Sequence, residues 1–153
     1  MKSAFCFQTM LGKVVVVENG TAVVQLYFGE RISEDIRVDE TPLLKRAHRQ
    51  LEEYLSGKRK KFDLPLSPQG TDFQKKVWVA LQKIPYGKKC SYKDIAIAVG
   101  NEKASRAVGG ANHNNPIAIF IPCHRVISSN GDLAGYAGGV DLKEKLLELE
   151  SHI

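Results

Sequence analysis

The first third of the chain alternates short β-branched and aromatic runs with turn residues, a pattern typical of antiparallel strands. Residues 14–17 and 21–28 flank Asn19-Gly20, a dipeptide that suits a tight hairpin because both residues tolerate positive φ. Residues 5–7 can supply a strand before this hairpin. A small sheet is therefore expected at the start of the fold.

Apolar residues at helical spacing follow these strands. Thr41-Pro42 is expected to begin a helix, since proline is tolerated in a first turn, and Ser56-Gly57 is expected to end it. The apolar positions of this helix are Leu43, Leu44, Ala47, Leu51, Tyr54 and Leu55. Residues 58–70, rich in proline and glycine, predict an interdomain linker. We therefore expect a β-rich domain with one long helix over residues 1–66, and a second domain over residues 67–153.

The second domain is mostly helical in pattern. Thr71-x-x-Gln74 is a capping box ahead of an apolar stripe, and Ser91-x-x-Asp94 caps a short helix that ends near residue 99. Asn101 can cap another helix over residues 103–111, which makes a helix-turn-helix pattern. Residues 116–121 predict a short apolar strand. A final helix begins near Asp141, with Leu142, Leu146 and Leu149 on one face.

Composition is that of an ordinary globular protein, with 43% hydrophobic and 25% charged residues over 153 positions. No apolar run approaches the ~18 residues of a membrane span, and the first residues lack the apolar core of a signal peptide. We therefore expect a cytoplasmic protein with no membrane partner. Three cysteines without a Cys-x-x-Cys pair are too few for a disulfide framework.

The net charge of +5 is unevenly distributed. Residues 75–125 carry nine basic side chains against two acidic ones, whereas residues 132–150 carry five acidic ones against two basic ones. A basic region of this kind favours binding to a polyanion such as DNA, because neutralised phosphates release counterions. On charge alone, a solvated lysine face that maintains solubility is an equal alternative.

The second helix of the helix-turn-helix pattern is built of small residues. It contains the adjacent glycines Gly109 and Gly110 and a single arginine, Arg106. A helix that reads the major groove needs several Arg, Asn or Gln side chains, which this helix lacks. Small side chains allow close approach, as a minor groove about 6 Å wide requires. We expect minor-groove binding with little sequence preference, and the alternative is a helix packed tightly on its neighbour.

The other candidate for chemistry is Cys123-His124. A cysteine becomes a strong nucleophile as the thiolate, which an imidazole, a cation or a helix N-terminus can favour. Neighbouring side chains of an extended segment point to opposite faces, so His124 reaches Cys123 only through a turn or a bridging water. The imidazole then needs an orienting acid, for which Glu144 and Asp141 are candidates. The alternative is a buried thiol beside a histidine with purely structural contacts.

Together these motifs resemble the O6-alkylguanine-DNA alkyltransferase family. The resemblance rests on residues 122–126 (Pro-Cys-His-Arg-Val), 106–111, Asn115-Pro116 and 135–139 (Gly-Tyr-Ala-Gly-Gly). It extends from about residue 71 to residue 150, with the motifs in family order, whereas residues 1–70 match only loosely. It implies an α/β (α+β) chain, with a ribonuclease-H-like β-rich domain followed by a winged helix-turn-helix-like helical domain.

The resemblance also implies roles for the matching residues. Cys123 would accept an alkyl group from O6 of guanine, His124 would relay the thiol proton through water, and Glu144 would hold the imidazole. Arg106 would replace the flipped nucleotide in the duplex, and the Tyr92 hydroxyl would donate to a guanine ring nitrogen. The other implied DNA- or base-binding residues are Ala104, Ser105, Gly109, Asn115 (which braces the turn before the site), Val126 (whose carbonyl accepts the exocyclic amine), Tyr136 (which walls the alkyl pocket) and Ala137.

Two features distinguish this chain from parts of the family. Ala137 stands where many members have serine, but the backbone N–H assigned to that position is retained. Some relatives bind structural zinc in the N-terminal domain, whereas this chain has only Cys6 and His48 there. These residues, with Cys90 and His113, show no metal-ligand spacing, so neither a metal nor another cofactor is expected.

Two other function classes are weighed against this interpretation. A lesion-sensing protein without catalysis would lack the acceptor cysteine, whereas Cys123 is present. A transcription regulator would need base-reading side chains and a dimer helix, which the pattern lacks. The expected partner is double-stranded DNA that contains O6-alkylguanine, with O4-alkylthymine left open, and the protein is expected to act as a monomer, once per molecule.

Overall fold

The computed structural model describes residues 1–131, 133, 135–136 and 138–151. The chain folds as two compact units, Met1–Pro68 and Gln69–Ile153. The first is built on a sheet and the second on helices, in agreement with the predicted fold class. Among the described residues, no helix combines the length and the apolar character that a membrane crossing needs.

The first unit contains a four-stranded sheet of order β3-β2-β1-β4. Its strands are β1 (Ser3–Thr9), β2 (Gly12–Glu18), β3 (Val23–Phe28) and β4 (Arg37–Val38), of which only β4 is parallel to its neighbour. The hairpin predicted at Asn19-Gly20 is present, but its turn spans residues 19–22 between β2 and β3, and Asn19 N donates to Ala22 O at 3.0 Å. Positive φ occurs at Gly20 and not at Asn19. The Asn19 side chain accepts hydrogen bonds from the following amides, and Gly20 adopts a φ of 101°, which glycine reaches without strain.

One helix, α1 (Pro42–Leu55), packs on β1 and β2 through the predicted apolar face. The Thr41 hydroxyl caps it by accepting from Leu44 N at 3.3 Å. Leu44, Leu51 and Tyr54 are fully buried. The local signals in the sequence were therefore sufficient for this helix.

Most of the segment predicted as a linker lies in the first unit, which ends at Pro68. Val23 N donates to Pro65 O and Ser67 N donates to Val23 O, both at 2.8 Å, so this segment runs beside β3. Asp63 N also donates to Gln50 Oε1 on α1 at 2.8 Å. The linker prediction was wrong for residues 63–67, because proline and glycine content does not reveal hydrogen bonds to a distant strand.

The described part of the second unit contains four α-helices, one 3-10 turn and a short parallel pair of strands. The elements are α2 (Asp72–Gln82), β5 (Cys90–Ser91), α3 (Tyr92–Ala98), α4 (Ser105–His113), a 3-10 turn (Cys123–Arg125), β6 (Val126–Ile127) and α5 (Val140–Ser151). Both predicted capping boxes are present. Trp78 Nε1 on α2 donates to Ala111 O on α4 at 2.9 Å, which joins these two helices inside the core.

Two local predictions for this unit were wrong. The second helix begins at Ser105 rather than near residue 103, and Asn101 Oδ1 accepts from Lys103 N instead of capping it. Residues 116–121 do not form a strand. Ile119 has a φ of 72°, an outlier for a β-branched residue, and Phe120 N donates to Ala118 O across it at 2.8 Å. The segment therefore turns tightly on itself instead of extending beside a partner strand.

Candidate active site

The Cys123 peptide is fixed by a tight loop that Asn115 braces. Cys123 N donates to Ile121 O at 2.8 Å, and Asn115 Nδ2 donates to the same carbonyl at 2.8 Å. Asn115 Oδ1 accepts from Ile117 N at 3.0 Å, so one carboxamide holds both sides of the loop. Cys123 then begins the 3-10 turn. This 3-10 turn, Cys123–Arg125, also contains His124.

Burial controls the chemistry of the thiol of Cys123, a residue that is only 4% exposed. It raises the pKa of this thiol to about 11, because a thiolate is poorly stabilised away from water. A hydrogen bond from the Asn115 side chain and the charge of Lys143 act in the opposite direction. The thiol is therefore protonated at neutral pH, and its reaction as a nucleophile requires a group that accepts the proton.

The residue next to Cys123 in the chain is His124, whose imidazole is a proton acceptor and is fully buried. Its Nε2 is 2.7 Å from Oε2 of Glu150. A carboxylate only accepts hydrogen bonds, so Nε2 carries the ring proton and Nδ1 is the basic nitrogen. Burial lowers the pKa of His124, and the bond and charge of Glu150 oppose that shift. The imidazole is therefore held neutral, in one tautomer and one orientation.

Arg125 completes the group around Glu150. Its Nε donates to Oε1 at 2.8 Å and its Nη2 donates to Oε2 at 2.9 Å, a two-point pairing that suits the planar guanidinium. Its Nη1 donates to the Ile84 carbonyl at 2.6 Å, and its guanidinium lies 5.8 Å from the centre of the Tyr86 ring. Glu150 is thereby fixed from two sides, which in turn fixes the ring of His124.

Glu144 is not the acid that orients His124, and this prediction was wrong. Glu144 and the other candidate, Asp141, are exposed, whereas Glu150 is 1% exposed and contacts the imidazole. The reason is helical geometry. Residues 143, 146 and 150 share the buried face of α5, and residue 144 is one position beyond it. The expected apolar face placed Leu146 correctly, but Leu142 and Leu149 are only partly buried.

Tyr92 is the first residue of α3, where the Ser91 and Asp94 capping box fixes the start of the helix. The tyrosine is partly buried. Burial raises its pKa, and negative charge at Cys123 adds to that effect, which places Tyr92 within electrostatic range of the thiol. A Cβ added to Gly109 of α4 would lie 4.0 Å from the Tyr92 ring. Gly109 therefore faces the tyrosine, but contact with that ring does not require a glycine.

The predicted DNA-facing residues of α4 lie at its start and along its exposed side. Arg106 is exposed, and Ala104 and Ser105 are partly buried around the first turn. Gly110 is also exposed, and a Cβ there would meet nothing within 4 Å. In the described structure nothing fills the space beside Gly110, so the backbone of α4 is open to close approach by a partner.

The remaining predicted site residues differ in what the structure describes. Val126 is buried in β6, opposite Cys90 of β5. Tyr136 is buried, and burial, followed by negative charge at Cys123, raises its pKa well above the usual range. Ala137 lies outside the described residues.

The other two cysteines lack the surroundings of Cys123. Cys90 is partly buried, and burial together with Asp94 raises its pKa, in contrast to the thiolate character that its helix-start position allows. Cys6 lies in β1 of the first unit. The parts of the chain that the structure describes contain no group of three His, Cys, Asp or Glu residues able to hold a metal ion.

Glu150, Arg125 and Lys143 are site residues that sequence reasoning missed. Lys143 has no exposed surface and shares the buried face of α5 with Glu150. The sequence does show that two charged residues, Lys143 and Glu150, fall on the same helix face as Leu146. Such a pair predicts buried charges only if partners for them are known to lie nearby.

Comparison with known proteins gives matches over both units. The family model described as 6-O-methylguanine DNA methyltransferase, DNA binding domain, matches residues 72–152. A second model, described as 6-O-methylguanine DNA methyltransferase, ribonuclease-like domain, matches residues 5–68. The two matches together span nearly the whole chain.

Individual proteins are similar over almost their full lengths. A methylated-DNA–protein-cysteine methyltransferase of Methanosarcina acetivorans is 49% identical over 148 residues, which cover 94% of this chain and 95% of the relative. The constitutive methylated-DNA–protein-cysteine methyltransferase of Bacillus subtilis is 46% identical and covers 94% and 92%. The crystal structure of Mycobacterium tuberculosis OGT in complex with DNA has a TM-score of 0.91 and 42% identity, and the alignment covers 97% of this chain and 92% of that chain.

Proposed function

This chain belongs to the methylated-DNA–protein-cysteine methyltransferase family, and from that membership we propose that it takes the alkyl group of O6-alkylguanine in double-stranded DNA onto Cys123. The family repairs DNA by alkyl transfer to a cysteine. The observation that carries the choice of Cys123 is that the next residue, His124, is a buried imidazole bonded to the buried carboxylate of Glu150. Neither Cys6 nor Cys90 has a histidine as its sequence neighbour.

The proposed reaction is a single displacement. The Cys123 sulfur attacks the alkyl carbon, a C–S bond forms, and the C–O6 bond breaks with its electron pair remaining on guanine. The thiol proton passes through a water molecule to His124 Nδ1, since Nε2 is engaged by Glu150. Guanine recovers a proton from the imidazolium through solvent, and the products are a thioether, neutral His124 and unmodified guanine.

Tyr92 and the carbonyls beside the thiol are proposed to bind the target base. The Tyr92 hydroxyl donates to a guanine ring nitrogen, where negative charge grows as the alkyl group leaves. The carbonyls of Cys123 and Val126 accept the exocyclic amine of guanine. The high pKa of Tyr92 supports this role, because its hydroxyl keeps its proton near neutral pH.

DNA is the partner of this protein, and we propose that α4 enters the minor groove with the target nucleotide flipped out. The exposed Gly110 supports close approach of the helix backbone, and the exposed Arg106 supports insertion into the duplex in place of the flipped base. These contacts carry little sequence information, so binding is expected to follow phosphate charge and salt concentration.

The proposed acceptor is used once. A thioether does not undergo thiol exchange, so one alkyl group is transferred per chain. Action as a monomer in the cytoplasm stays a prediction, which sedimentation of the protein bound to a short duplex and localisation of a tagged chain would test.

The decisive experiment is intact-mass and peptide analysis after incubation with a duplex that contains O6-methylguanine. We expect the added mass of one CH2 group, on the peptide with Cys123 alone, and a plateau at one methyl per chain. Cys123→Ser should abolish transfer but bind the duplex, because a hydroxyl is almost never ionised at neutral pH. Cys90→Ser is the matched control and should react as the parent does. Transfer that survives in Cys123→Ser and is lost in Cys90→Ser would overturn the assignment.

A further inference from the structure

A turn between α2 and β5, residues 84–87, contacts the buried pair of Arg125 and Glu150 through its backbone. The Ile84 carbonyl accepts from Arg125 Nη1 at 2.6 Å, and Gly87 N donates to Glu150 Oε1 at 3.4 Å. This turn, called here the 84–87 turn, therefore contacts both members of the pair from outside the 3-10 turn and the helix that carry them.

Tyr86 is the side chain of the 84–87 turn that lies against the pair. The centre of its ring is 5.8 Å from the guanidinium carbon of Arg125, within the range of a cation–π contact. Its hydroxyl donates to Leu149 O at 3.4 Å, next to Glu150 in the last turn of α5. Burial, followed by the negative charge of Glu150, raises the pKa of Tyr86, so the hydroxyl keeps its proton near neutral pH.

The position of Tyr86 shields the pair from solvent. Tyr86 is partly exposed, whereas Arg125, Glu150 and His124 are buried, so the tyrosine ring lies on the solvent side of the guanidinium. Enclosed charges interact strongly only while water is excluded from them. The charged groups that act on His124 are Glu150 and Lys143 on α5 and Arg125 on the 3-10 turn. Burial is the largest cause of the lowered pKa of His124, so this histidine is sensitive to entry of water.

We propose that Tyr86 is a positioning residue for alkyl transfer, whose ring closes the Arg125–Glu150 pair to water and so keeps the His124 imidazole in the orientation that accepts the thiol proton. This inference rests on the proposed function, in which His124 takes the proton of Cys123. Tyr86 acts through the ion pair and not on the reacting atoms. An aromatic ring suits this position better than an aliphatic side chain, because its face attracts a guanidinium while its bulk excludes water.

Two substitutions separate the ring of Tyr86 from its hydroxyl. Tyr86→Leu removes both and keeps an apolar side chain, and the admitted water should raise the pKa of His124 towards its ordinary value of 6.5. Transfer from O6-methylguanine in a duplex, measured as a single turnover with protein in excess, should then be about tenfold slower than in the parent at pH 5.5 and within about threefold of it at pH 8, where the imidazole is neutral in both proteins. Tyr86→Phe keeps the ring and should stay within about twofold of the parent at both pH values.

The histidine can also be followed without DNA. Nitrogen-15 NMR of the free protein, with the His124 signals assigned by comparison with His124→Gln, reports the tautomer and the titration of the ring. We expect the Nε2–H tautomer in the parent, and in Tyr86→Leu a titration midpoint at higher pH than in the parent. A tyrosine that only braced the 84–87 turn would affect the melting temperature and leave the His124 titration unaltered.

The matched control removes a comparable tyrosine from the first unit. Tyr27 is also partly buried, and its hydroxyl also donates to a backbone carbonyl, that of Arg31. Tyr27→Leu should lower the melting temperature but leave both the His124 titration and the pH dependence of transfer as they are in the parent.

Three results would overturn the inference: an unchanged His124 titration in Tyr86→Leu, a rate relative to the parent that is the same at pH 5.5 and pH 8, or an equal loss in Tyr86→Phe. If Tyr86→Leu does not fold, Tyr86→Met replaces it in the same measurements. Absence of transfer by the parent, with the shifted His124 titration present in Tyr86→Leu, would overturn the proposed function and leave the action of Tyr86 on His124 established.

Discussion

Replacing Glu150 by glutamine removes one charge from the group of buried side chains behind Cys123 and leaves its volume almost unchanged. The carboxylate accepts from His124 at 2.7 Å and from Arg125 at 2.8 and 2.9 Å, and it is 1% exposed. The substitution therefore leaves Arg125 charged and buried without its counter-charge. Breaking a buried ion pair in this way costs about 3–5 kcal/mol. For a domain of this size the melting temperature should fall by roughly 10 °C or more.

The rate of alkyl transfer should fall in addition, by about 10²-fold, because the tautomer and orientation of His124 are no longer fixed. The rate is measured as a single turnover on a methylated duplex, at a temperature well below the melting point of the variant, so that loss of folded protein does not contribute. The matched control is Glu144→Gln, the same substitution at an exposed position of the same helix.

Glu144→Gln should change the free energy of unfolding by less than about 0.5 kcal/mol and leave the transfer rate unaltered. A parent-like rate in Glu150→Gln, or a larger loss in Glu144→Gln than in Glu150→Gln, would refute the assignment of Glu150 as the acid that orients the histidine.

Three further predictions concern other parts of the second unit. Gly110→Ala should raise the free energy of unfolding by about 0.5–1 kcal/mol, since a Cβ there meets nothing within 4 Å. The same substitution should weaken binding to duplex DNA in a filter or fluorescence assay. Unaltered affinity would argue against close approach of α4 to the DNA. Arg106→Ala should slow repair of a duplex far more than reaction with the free modified base, and equal losses would show that Arg106 does not support flipping. Between pH 9 and pH 11 the folded parent keeps the Cys123 proton that the unfolded chain releases, so its stability should decrease as pH rises. In urea unfolding, the free energy of unfolding of Cys123→Ser should decrease over this pH range by up to about 2–3 kcal/mol less than that of the parent. Identical pH profiles of the two proteins would contradict the raised pKa.

The elements that the sequence predicted well are those whose signals are local. Thr71 and Ser91 cap helices through residues three positions away, and Asn19-Gly20 closes its hairpin with its own side chain and backbone. The two residues of each such contact lie within four positions of each other, so a short stretch of sequence contains both of them. The family motifs around Cys123 are equally local.

The orienting acid could not be chosen correctly because its burial depends on distant partners. Helical spacing from Leu146 places residue 150 on the apolar face of α5 and residue 144 off it, but a charged residue on such a face is expected to be buried only where partners for it are known. What buries Glu150 is its pairing with His124 and Arg125, 26 and 25 positions earlier. Similarly, residues 63–67 join the first unit through Val23, a partner that composition does not reveal.

The high pKa of the Cys123 thiol also bears on how long a molecule stays usable before it meets a lesion. Oxidants and small electrophiles consume thiolates, and with a pKa of about 11 only about one molecule in ten thousand carries a thiolate at Cys123 at pH 7. If Cys123 is the acceptor that we propose and is used once, the protein cannot recover from oxidation of this thiol. Burial therefore slows the reaction of the Cys123 sulfur with oxidants and small electrophiles in solution. Each molecule keeps its thiol until an alkylated guanine is bound beside His124.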